Sequence, residues 1–379
     1  MNALRKVARV LAFVALGAIV LLGGALGVVW FRMVRMPGTS ASAALPPPTA
    51  EESALASRLA ATVQELAGKI GARNVARPAA LAAAADVIER ELTQAGLSVA
   101  RESFDVEGVR CDNLVAEVHG VSRATEVVVV GAHYDSADDA PGANDNGSGV
   151  AVLLELARGL ASSAPARTVR FVAFVNEEPP YFRKADRMGS RVHVARAVAR
   201  GDRVVGMLSL ETMGWFSDAP GSQKYPFPFS LYYPDRGDFI GFVSSSDSAE
   251  LVRDVVGRFR ERASIPSQGG ALPARLPGVG WSDHESYTLV GVPALMVTDT
   301  APFRYPHYHT TDDTPDKVDV ARLARVTVGL AHVVRGLCVR ASIEARSERV
   351  AFVSSPAGAG AGGRPPSPAG GGPFGPRPP

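Results

Sequence analysis

The amino-acid sequence predicts an α/β fold: a three-layer α/β/α sandwich with a mixed, largely parallel central sheet, plus an N-terminal transmembrane helix. Three observations support this prediction. Short apolar runs rich in β-branched residues alternate with segments of helical periodicity, which is typical of a sheet covered by helices. About 295 residues lie between two ends of unusual composition, enough for one large domain with a substantial core. The chain also begins with an apolar stretch long enough to cross a bilayer.

The N-terminal apolar stretch covers residues 10–31, which are 22 residues without a charge, and it follows Arg5, Lys6 and Arg9. A cleaved export signal usually has a shorter apolar stretch of roughly 7 to 15 residues, so we expect an uncleaved, single-pass membrane anchor. The alternative is cleavage within residues 41–44, which would leave a secreted or periplasmic protein.

Basic residues flank the apolar stretch on both sides, because Arg32 and Arg35 follow it. The three basic residues before the stretch favour a cytoplasmic N-terminus and a main domain outside the cytoplasm. Composition then divides the chain into five segments. They are a basic N-terminus (1–9), the anchor (10–31), a Pro/Ser/Ala-rich linker (32–50), the main domain (51–345) and a Gly/Pro-rich tail (346–379). We expect residues 39–49 and the tail to be disordered.

Within the main domain, five β-rich runs are separated by helical patterns. The runs are residues 113–118, 126–130, 169–175, 207–210 and 294–297, and the clearest helical patterns are Gly149–Leu160 and Val320–Val339. This order of elements supports the predicted sandwich.

Charge and cysteine content exclude several classes of function. The chain has 40 Lys+Arg against 38 Asp+Glu, and no basic run interleaved with aromatic residues, so we expect no nucleic-acid partner. Cys111 and Cys338 are too few and too far apart for a cysteine zinc site or a disulfide scaffold. They would form either one disulfide or two separate buried thiols. Any zinc ion must therefore be bound by His, Asp and Glu.

The first candidate site residues are His133 and Asp135, which follow the strand at 126–130. Open α/β sheets place their ligands at such strand ends. Two residues apart on an extended segment, the two side chains point the same way, and a carboxylate beside an imidazole can fix its tautomer for metal binding. A capped turn would explain this pair alone equally well.

A polar, glycine-rich turn at residues 142–149 precedes the predicted helix Gly149–Leu160 and contains Asp145. Taken alone, Asp145 is more simply explained as a residue near the helix N-cap, because Asp and Asn are favoured there for local hydrogen bonding. The residues at the remaining strand ends favour a metal-binding role for Asp145 over this local explanation.

Three further strand ends carry acids or histidines. The strand at 169–175 is followed by Glu177 and Glu178, and adjacent buried acids are costly unless cations neutralise them. The strand at 207–210 leads into Glu211, and His309 lies in the segment after the strand at 294–297. A single acid or histidine at a strand end is usually a solvated loop residue. No structural need explains why all four strand ends carry potential metal ligands.

The charges of these residues can balance those of two zinc ions. Three carboxylates and a bridging hydroxide offset the four positive charges of two Zn²⁺, and two imidazoles bind as neutral ligands. The ligands would be Asp145, Glu178, Glu211, His133 and His309. Glu177 is then left as the general base, which takes a proton from the activated water and hands it to the leaving amine.

In their order along the chain, these motifs resemble the co-catalytic zinc metallo-exopeptidase family that includes bacterial aminopeptidases, glutamate carboxypeptidase II and the glutaminyl cyclases. The resemblance covers about residues 113–314. Its motifs are His133-x-Asp135, Asn144-Asp-Asn-Gly-Ser-Gly149, Glu177-Glu178, Glu211, Ser282-Asp283-His284, and Tyr308-His309-Thr310 with Asp313. It implies that residues 51–345 form a zinc peptidase catalytic domain.

The resemblance also implies how the metal ligands divide. His133 and Glu211 would bind one zinc ion, Glu178 and His309 the other, and Asp145 would bridge them. Many family members have Asp in place of Glu211, and the extra methylene leaves monodentate and bidentate coordination both open.

Three catalytic roles follow from the same resemblance. Glu177 would be the general base, Asp135 would orient His133, and Tyr308 would donate its hydroxyl to the oxyanion of the tetrahedral intermediate. The histidines at 193, 284 and 307 are interpreted as packing or loop-shaping residues.

Substrate recognition is less well defined by the sequence. Residues 225–236 form an aromatic, proline-rich insertion that either walls the pocket or packs as a surface loop. Asp283, Glu285 and Asp312 are unranked candidates for binding a substrate amine.

The sequence therefore predicts a membrane-tethered zinc exopeptidase acting on peptides, with aminopeptidase activity and two zinc ions. Three alternatives remain: a glutaminyl cyclase-like acyltransferase using a single zinc ion, a carboxypeptidase of the same family, and a catalytically inactive membrane-tethered homologue.

Overall fold

The computed structural model describes residues 2–42 and 44–339; the predicted tail at 346–379 lies outside the described residues. The α-helices of the described residues are α1 (Asn2–Val29), α2 (Ala50–Val63), α3 (Pro78–Gln94), α4 (Gly149–Leu160), α5 (Gly189–Arg200), α6 (Ala249–Arg262), α7 (His284–Thr288) and α8 (Val320–Val339). Their strands are β1 (Val99–Val106), β2 (Val109–Val118), β3 (Arg123–His133), β4 (Arg167–Phe174), β5 (Arg203–Glu211), β6 (Ile240–Ser245), β7 (Ser267–Leu272) and β8 (Ala294–Thr298).

The eight strands form one mixed sheet in the order β1-β2-β4-β3-β5-β8-β6-β7. The central strands β4, β3, β5 and β8 are neighbours and run parallel to one another. On one side, β2 pairs antiparallel with β4 and with β1, and on the other side β6 pairs antiparallel with β8 and parallel with β7. The predicted mixed, largely parallel sheet is confirmed.

Helices cover both faces of the sheet, as the alternation of side chains in β3 makes clear. Val128 and Val130 join the large core formed with α2, α3, α4, α6 and α8. Val127 and Val129 face the opposite side, where they pack with residues of α5 and α7. A central parallel strand that is buried on both faces needs apolar residues at every position, which explains the run of four valines. The three-layer arrangement is therefore confirmed.

Most predicted elements are present at the expected positions. Helices α4 and α8 begin and end at the predicted residues, and the five predicted β-rich runs coincide with β2, β3, β4, β5 and β8. Strands β1, β6 and β7 were not predicted from the sequence. β7 reads Ser-Gln-Gly-Gly-Ala-Leu, and glycine has a low β propensity, so its sequence carries little strand signal.

Helix α1 is long and apolar enough to cross a membrane by length and composition, and its described side chains are mostly exposed. A π-helical turn, Trp30–Val34, continues it.

We expected residues 39–49 of the linker to be disordered, and their described residues make polar contacts with the domain. The hydroxyl of Ser40 accepts a hydrogen bond from the backbone N–H of Ser267 at 2.9 Å. The carbonyl of Pro46 accepts one from the guanidinium of Arg325, which is buried and needs such acceptors. Thr49 and Glu52 form a capping box that starts α2. The linker is thus held against the domain by polar contacts that composition alone does not reveal.

The two cysteines are separate buried thiols rather than a disulfide. Cys111 accepts a hydrogen bond from the side-chain amide of Asn176 at 3.1 Å, and Cys338 lies in α8. The second of the two alternatives for these residues is therefore the observed one.

Candidate active site

The predicted site residues meet at the carboxyl edge of the four central strands. His133 is the last residue of β3, and Glu211 is the last residue of β5. Glu177 and Glu178 follow β4, and His309 lies in the segment after β8. Because these strands are parallel neighbours, their ends lie side by side. The convergence of strand ends expected from the sequence is therefore observed.

Asp145 lies at the centre of the cluster, and its two oxygens face different histidines. Nε2 of His133 lies 3.4 Å from Oδ1 of Asp145 and 3.3 Å from Oε2 of Glu211. Nε2 of His309 lies 3.1 Å from Oδ2 of Asp145 and 3.1 Å from Oε2 of Glu178. The ligand atoms thus form two groups that share the carboxylate of Asp145.

Several atoms of this cluster are buried without a hydrogen-bond partner among the described residues. They include both oxygens of Asp145, Oε1 of Glu178 and Nε2 of His309. Buried polar atoms are costly when unpaired, and bound cations would satisfy them. Imidazole nitrogens and carboxylate oxygens are also the donors that zinc prefers when cysteine is absent. The residues present therefore fit bound divalent cations.

The electrostatics of the cluster reflect an excess of carboxylates. Burial and the neighbouring charge of Asp145 together raise the pKa of Glu178 to about 8, against the opposing effect of His309. Burial lowers the pKa of His309, but Asp145 and Glu178 outweigh burial and raise that pKa to about 10. Burial also raises the pKa of Glu177 well above its ordinary value. A site with these properties favours bound positive charge.

Asp135 connects the ends of β3 and β4. Its two carboxylate oxygens accept hydrogen bonds from the backbone N–H groups of Glu177 and Glu178, at 3.1 Å each. Its Oδ1 also lies 3.5 Å from Nδ1 of His133. A carboxylate on the Nδ1 side leaves Nε2 of His133 free to face Asp145 and Glu211.

The turn around Asp145 is held by the side chains of its two neighbouring asparagines. Oδ1 of Asn146 accepts hydrogen bonds from the backbone N–H of Gly149, at 3.1 Å, and of Thr212, at 3.0 Å. Nδ2 of Asn146 donates to the carbonyl of Leu210 at 2.7 Å. This asparagine therefore caps the start of α4 and also ties the turn to the end of β5. The local capping explanation for the motif is correct for Asn146, whereas Asp145 faces the cluster.

Asp313 fixes the same turn from the opposite side. Its carboxylate accepts the backbone N–H of Asn144 at 2.8 Å and that of Asp145 at 3.0 Å. The hydroxyl of Tyr305 donates to Asp313 at 2.7 Å. The amide of Asn144 in turn donates to Asp299 at 2.9 Å.

A buried cation that no sequence motif indicates contacts this turn. Arg73 is fully buried, and its guanidinium donates to the carbonyls of Tyr134, Pro141 and Gly142. Burial lowers its pKa to about 10, while nearby carboxylates, Asp313 foremost, raise it. Arg73 lies in an irregular segment outside every motif, so only its contacts reveal that it positions the turn.

The Ser282-Asp283-His284 motif shapes the region beside Glu211. The hydroxyl of Ser282 donates to Oε2 of Glu211 at 2.7 Å. The imidazole of His284 is buried and bonds with the carbonyl of Val279 at 2.7 Å, in keeping with the loop-shaping interpretation. Asp283 is buried as well, and burial raises its pKa to about 7.

The other residues considered from the sequence lie in different surroundings. His193 is buried against Glu102, with Nδ1 2.6 Å from Oε2. Glu285 is paired with Arg183 at 2.7 Å and with Arg191 at 2.8 Å, so its charge is already neutralised. Asp312 is exposed on the surface.

An apolar cavity opens beside the cluster and encloses about 910 Å³, including its mouth. Glu211 and Tyr308 line its polar end. Its apolar walls include Tyr225, Phe229, Tyr233, Trp281 and Phe303. Three of these belong to the insertion at 225–236, which therefore walls the pocket.

Tyr308 lines the cavity and also lies against the cluster. Its ring stacks on the imidazole of His309, with 3.9 Å between the ring centroids. Burial raises the pKa of its phenol, and the charges of Asp145 and Glu178 raise it further, so the hydroxyl stays protonated. A protonated phenol at this position can donate a hydrogen bond to a group held between the cluster and the cavity.

Comparison with known proteins places this geometry among peptidases. Residues 113–334 match peptidase family M28. An Escherichia coli (strain K12) protein described as uncharacterized protein YfbL is 36% identical over 292 residues, which are 75% of this chain and 88% of that protein. A probable leucine aminopeptidase 1 of Trichophyton verrucosum (strain HKI 0517) is 30% identical over 236 residues, which are 57% of this chain and 56% of that protein. The chain thus spans little more than half of that aminopeptidase.

Solved structures share the fold. A zinc aminopeptidase from Bacillus subtilis, BSAP, superimposes with a TM-score of 0.61 at 16% identity, over 75% of this chain and 95% of that one. A glutaminyl cyclase from Porphyromonas gingivalis gives a TM-score of 0.57 at 19% identity, over 74% of this chain and 98% of that one. At such identities the likeness concerns the fold alone. The family resemblance and the fold class predicted from the sequence are both confirmed.

Proposed function

The chain belongs to peptidase family M28, and from this premise we propose that it is a zinc-dependent aminopeptidase that hydrolyses N-terminal peptide bonds. The observation that carries the proposal is the position of Asp145, whose two oxygens face His133 on one side and His309 on the other, at 3.4 and 3.1 Å. Such an arrangement suits a pair of cations that share one carboxylate.

In this proposal two zinc ions are held by five side chains. His133 and Glu211 bind one ion, Glu178 and His309 bind the other, and Asp145 bridges them. When bound, such an ion pair supplies Lewis-acid polarisation of the peptide carbonyl and lowers the pKa of the attacking water.

Glu177 acts as the general base. Its carboxylate lies 4.0 Å from Nε2 of His133, with which it forms a third group that includes Glu178, and it belongs to neither of the two groups that share Asp145. Its backbone N–H is fixed by Asp135, which holds the residue at the mouth of the cluster. Since burial raises its pKa, the carboxylate can take up the proton of the attacking water and later deliver it to the leaving amine.

Tyr308 stabilises the oxyanion. Its ring is fixed against His309 and its surroundings keep the phenol protonated. Removing one hydrogen-bond donor from the oxyanion hole of a hydrolase costs roughly 3 to 4 kcal/mol, and we expect a contribution of that order from Tyr308.

The cavity favours trimming from the amino end. Recognition of a substrate carboxylate would need a cation, and the described residues that line the cavity include neither Lys nor Arg. The apolar walls suit the side chain of a hydrophobic N-terminal residue. We further propose that α1 is a single-pass anchor that leaves the catalytic domain outside the cytoplasm.

A set of capped peptides tests the proposal. The full chain in detergent is given one apolar tetrapeptide in three forms: free, N-acetylated and C-amidated. We expect the enzyme to cleave the free and C-amidated peptides but not the N-acetylated one. Chelation should abolish this cleavage, and added Zn²⁺ should restore it. Cleavage that survives N-acetylation but not C-amidation would instead indicate a carboxypeptidase.

The cyclase alternative predicts a different product. A glutaminyl cyclase would convert N-terminal Gln to a cyclic amide with loss of ammonia and would leave the peptide bonds intact. Mass spectrometry of a Gln-initiated peptide distinguishes this result from hydrolysis, and cyclisation without cleavage would overturn the aminopeptidase proposal.

A further inference from the structure

The aromatic insertion (residues 225–236) contacts the apolar helix α1. The hydroxyl of Tyr232 donates a hydrogen bond to the backbone carbonyl of Leu26 at 2.9 Å. Leu26 lies within the uncharged stretch of residues 10–31, four residues before Trp30. Since an α-helix rises 1.5 Å per residue, this contact lies about 6 Å deeper along α1 than Trp30. Tryptophan is enriched where a spanning helix meets the membrane interface.

Two large apolar side chains of the same insertion are exposed. The exposed fraction is 80% for Phe227 and 61% for Leu231, and Leu231 directly precedes Tyr232. Pro226 and Pro228 flank Phe227 and restrict its backbone. Large apolar side chains that are exposed on a segment in contact with an apolar helix mark a contact surface.

Further contacts hold the segment that follows α1 against the domain. Met36 is buried in the core, where it lies against Gly269 of β7. Arg253 of α6 donates to the carbonyl of Arg32, and Arg260 donates to the carbonyl of Pro37 at 3.0 Å.

The charges at this end of α1 suit a membrane surface. Arg32 and Arg35 are exposed, and the guanidinium of Arg35 lies 5.6 Å from the ring centroids of Trp30 and Phe31. Cations beside interfacial aromatic rings occur at the depth of lipid phosphates. Leu26, and with it the tip of the insertion, is then on the hydrocarbon side of that level.

We propose that the aromatic insertion is a second membrane-contacting element, in which Phe227 and Leu231 enter the acyl chains of the leaflet next to the catalytic domain. This inference rests on the proposed anchoring role of α1. The inner side of the insertion carries Tyr225, Phe229 and Tyr233, which line the apolar cavity. One segment therefore contacts the bilayer and forms a wall of the substrate pocket.

The test measures the depth of labels on the full chain in phosphatidylcholine/phosphatidylglycerol vesicles. A fluorescent thiol label is attached to F227C and, separately, to L231C. The native Cys111 and Cys338 are buried, and wild-type protein treated with the same label checks that they do not react. V198C in α5 is the matched control, because Val198 is 60% exposed and its helix packs on the β2 side of the sheet, far from β7. V20C, at a 65% exposed position of α1, reports on the anchor itself.

Each label is quenched by nitroxide on the lipid acyl chains and, separately, by aqueous iodide. We expect lipid quenching at 227 and 231 that exceeds the quenching at 198 by about twofold or more, because nitroxides in the hydrocarbon region reach only groups at that depth. Iodide should show the opposite order.

Two outcomes would overturn the inference, and they are distinguishable. If position 20 is quenched from the lipid while 227 and 231 behave like 198, the insertion lies in water or serves a soluble partner, and the anchor stands. If position 20 is itself reached by iodide, α1 does not span and both ideas fail. The proposed peptidase activity is tested separately, by measuring peptide hydrolysis in the same vesicles.

Discussion

Nε2 of His309 lies 3.1 Å from Oδ2 of Asp145, while the other oxygen of Asp145 faces His133. The two histidines come from segments about 175 residues apart in the chain and meet at one buried carboxylate. The proposed chemistry depends on this sharing, because a single aspartate can hold two cations close together only if each oxygen has its own set of partners.

Replacing Asp145 by Asn should reduce bound zinc and lower kcat/KM by more than about 100-fold, since a neutral amide offers one weak oxygen where two cations need a shared anion. Elemental analysis and peptide hydrolysis measure the two effects. D139N is the control, because Asp139 is an exposed partner of Arg77. Full zinc content and activity in D145N would contradict the bridging role.

Glu177→Gln should lower kcat by about 10² to 10⁴-fold, the usual contribution of a positioned general base, while zinc content stays unchanged. The amide keeps the shape of the side chain but cannot accept a proton. E89Q, which alters a surface ion pair with Arg101, provides the control. If E177Q turned over substrate like the wild type, another group would have to be the base.

Removing the side chain of Asn146 should destabilise the protein even though it touches no substrate. N146A leaves two backbone N–H groups and the carbonyl of Leu210 without their partner, at a cost of about 2 to 4 kcal/mol in the free energy of unfolding. Urea denaturation measures the change. Q94A at the exposed end of α3 should change stability by less than about 0.5 kcal/mol.

Arg73→Met should cost about 3 to 5 kcal/mol, because the carbonyls of Tyr134, Pro141 and Gly142 lose a buried charged donor. R77M removes a similar side chain four residues away, but that arginine forms an exposed pair, so its loss should cost less than about 1 kcal/mol. Equal unfolding free energies for the two variants would refute a positioning role for Arg73.

Acid should weaken the contact between Glu102 and His193, which lies outside the candidate site. Burial raises the pKa of Glu102, but the hydrogen bond from His193 and the nearby arginines outweigh it and lower that pKa. A lowered carboxylate pKa stabilises the fold above the unfolded value of about 4.3, and this contribution is lost as the pH falls through the folded value. The stability difference between wild type and E102Q should therefore shrink from pH 6 towards pH 3. A difference that is constant with pH would contradict this assignment.

The sequence was sufficient to predict that the residues at the ends of the parallel strands lie close together. His133, Glu178 and Glu211 were predictable because parallel strands bring their carboxyl ends together, and His309 because of its motif. The supporting contacts were not predictable: Arg73 belongs to no motif and acts on carbonyls more than 60 residues away. The same limit applies to residues 39–49, whose composition suggests disorder, although Arg325 holds the carbonyl of Pro46.

Anomalous diffraction at the zinc edge, from crystals of the full chain, tests the shared role of Asp145 most directly. We expect two zinc peaks, one between Asp145, His133 and Glu211 and the other between Asp145, Glu178 and His309. A single peak, or two peaks that have no common carboxylate, would contradict it.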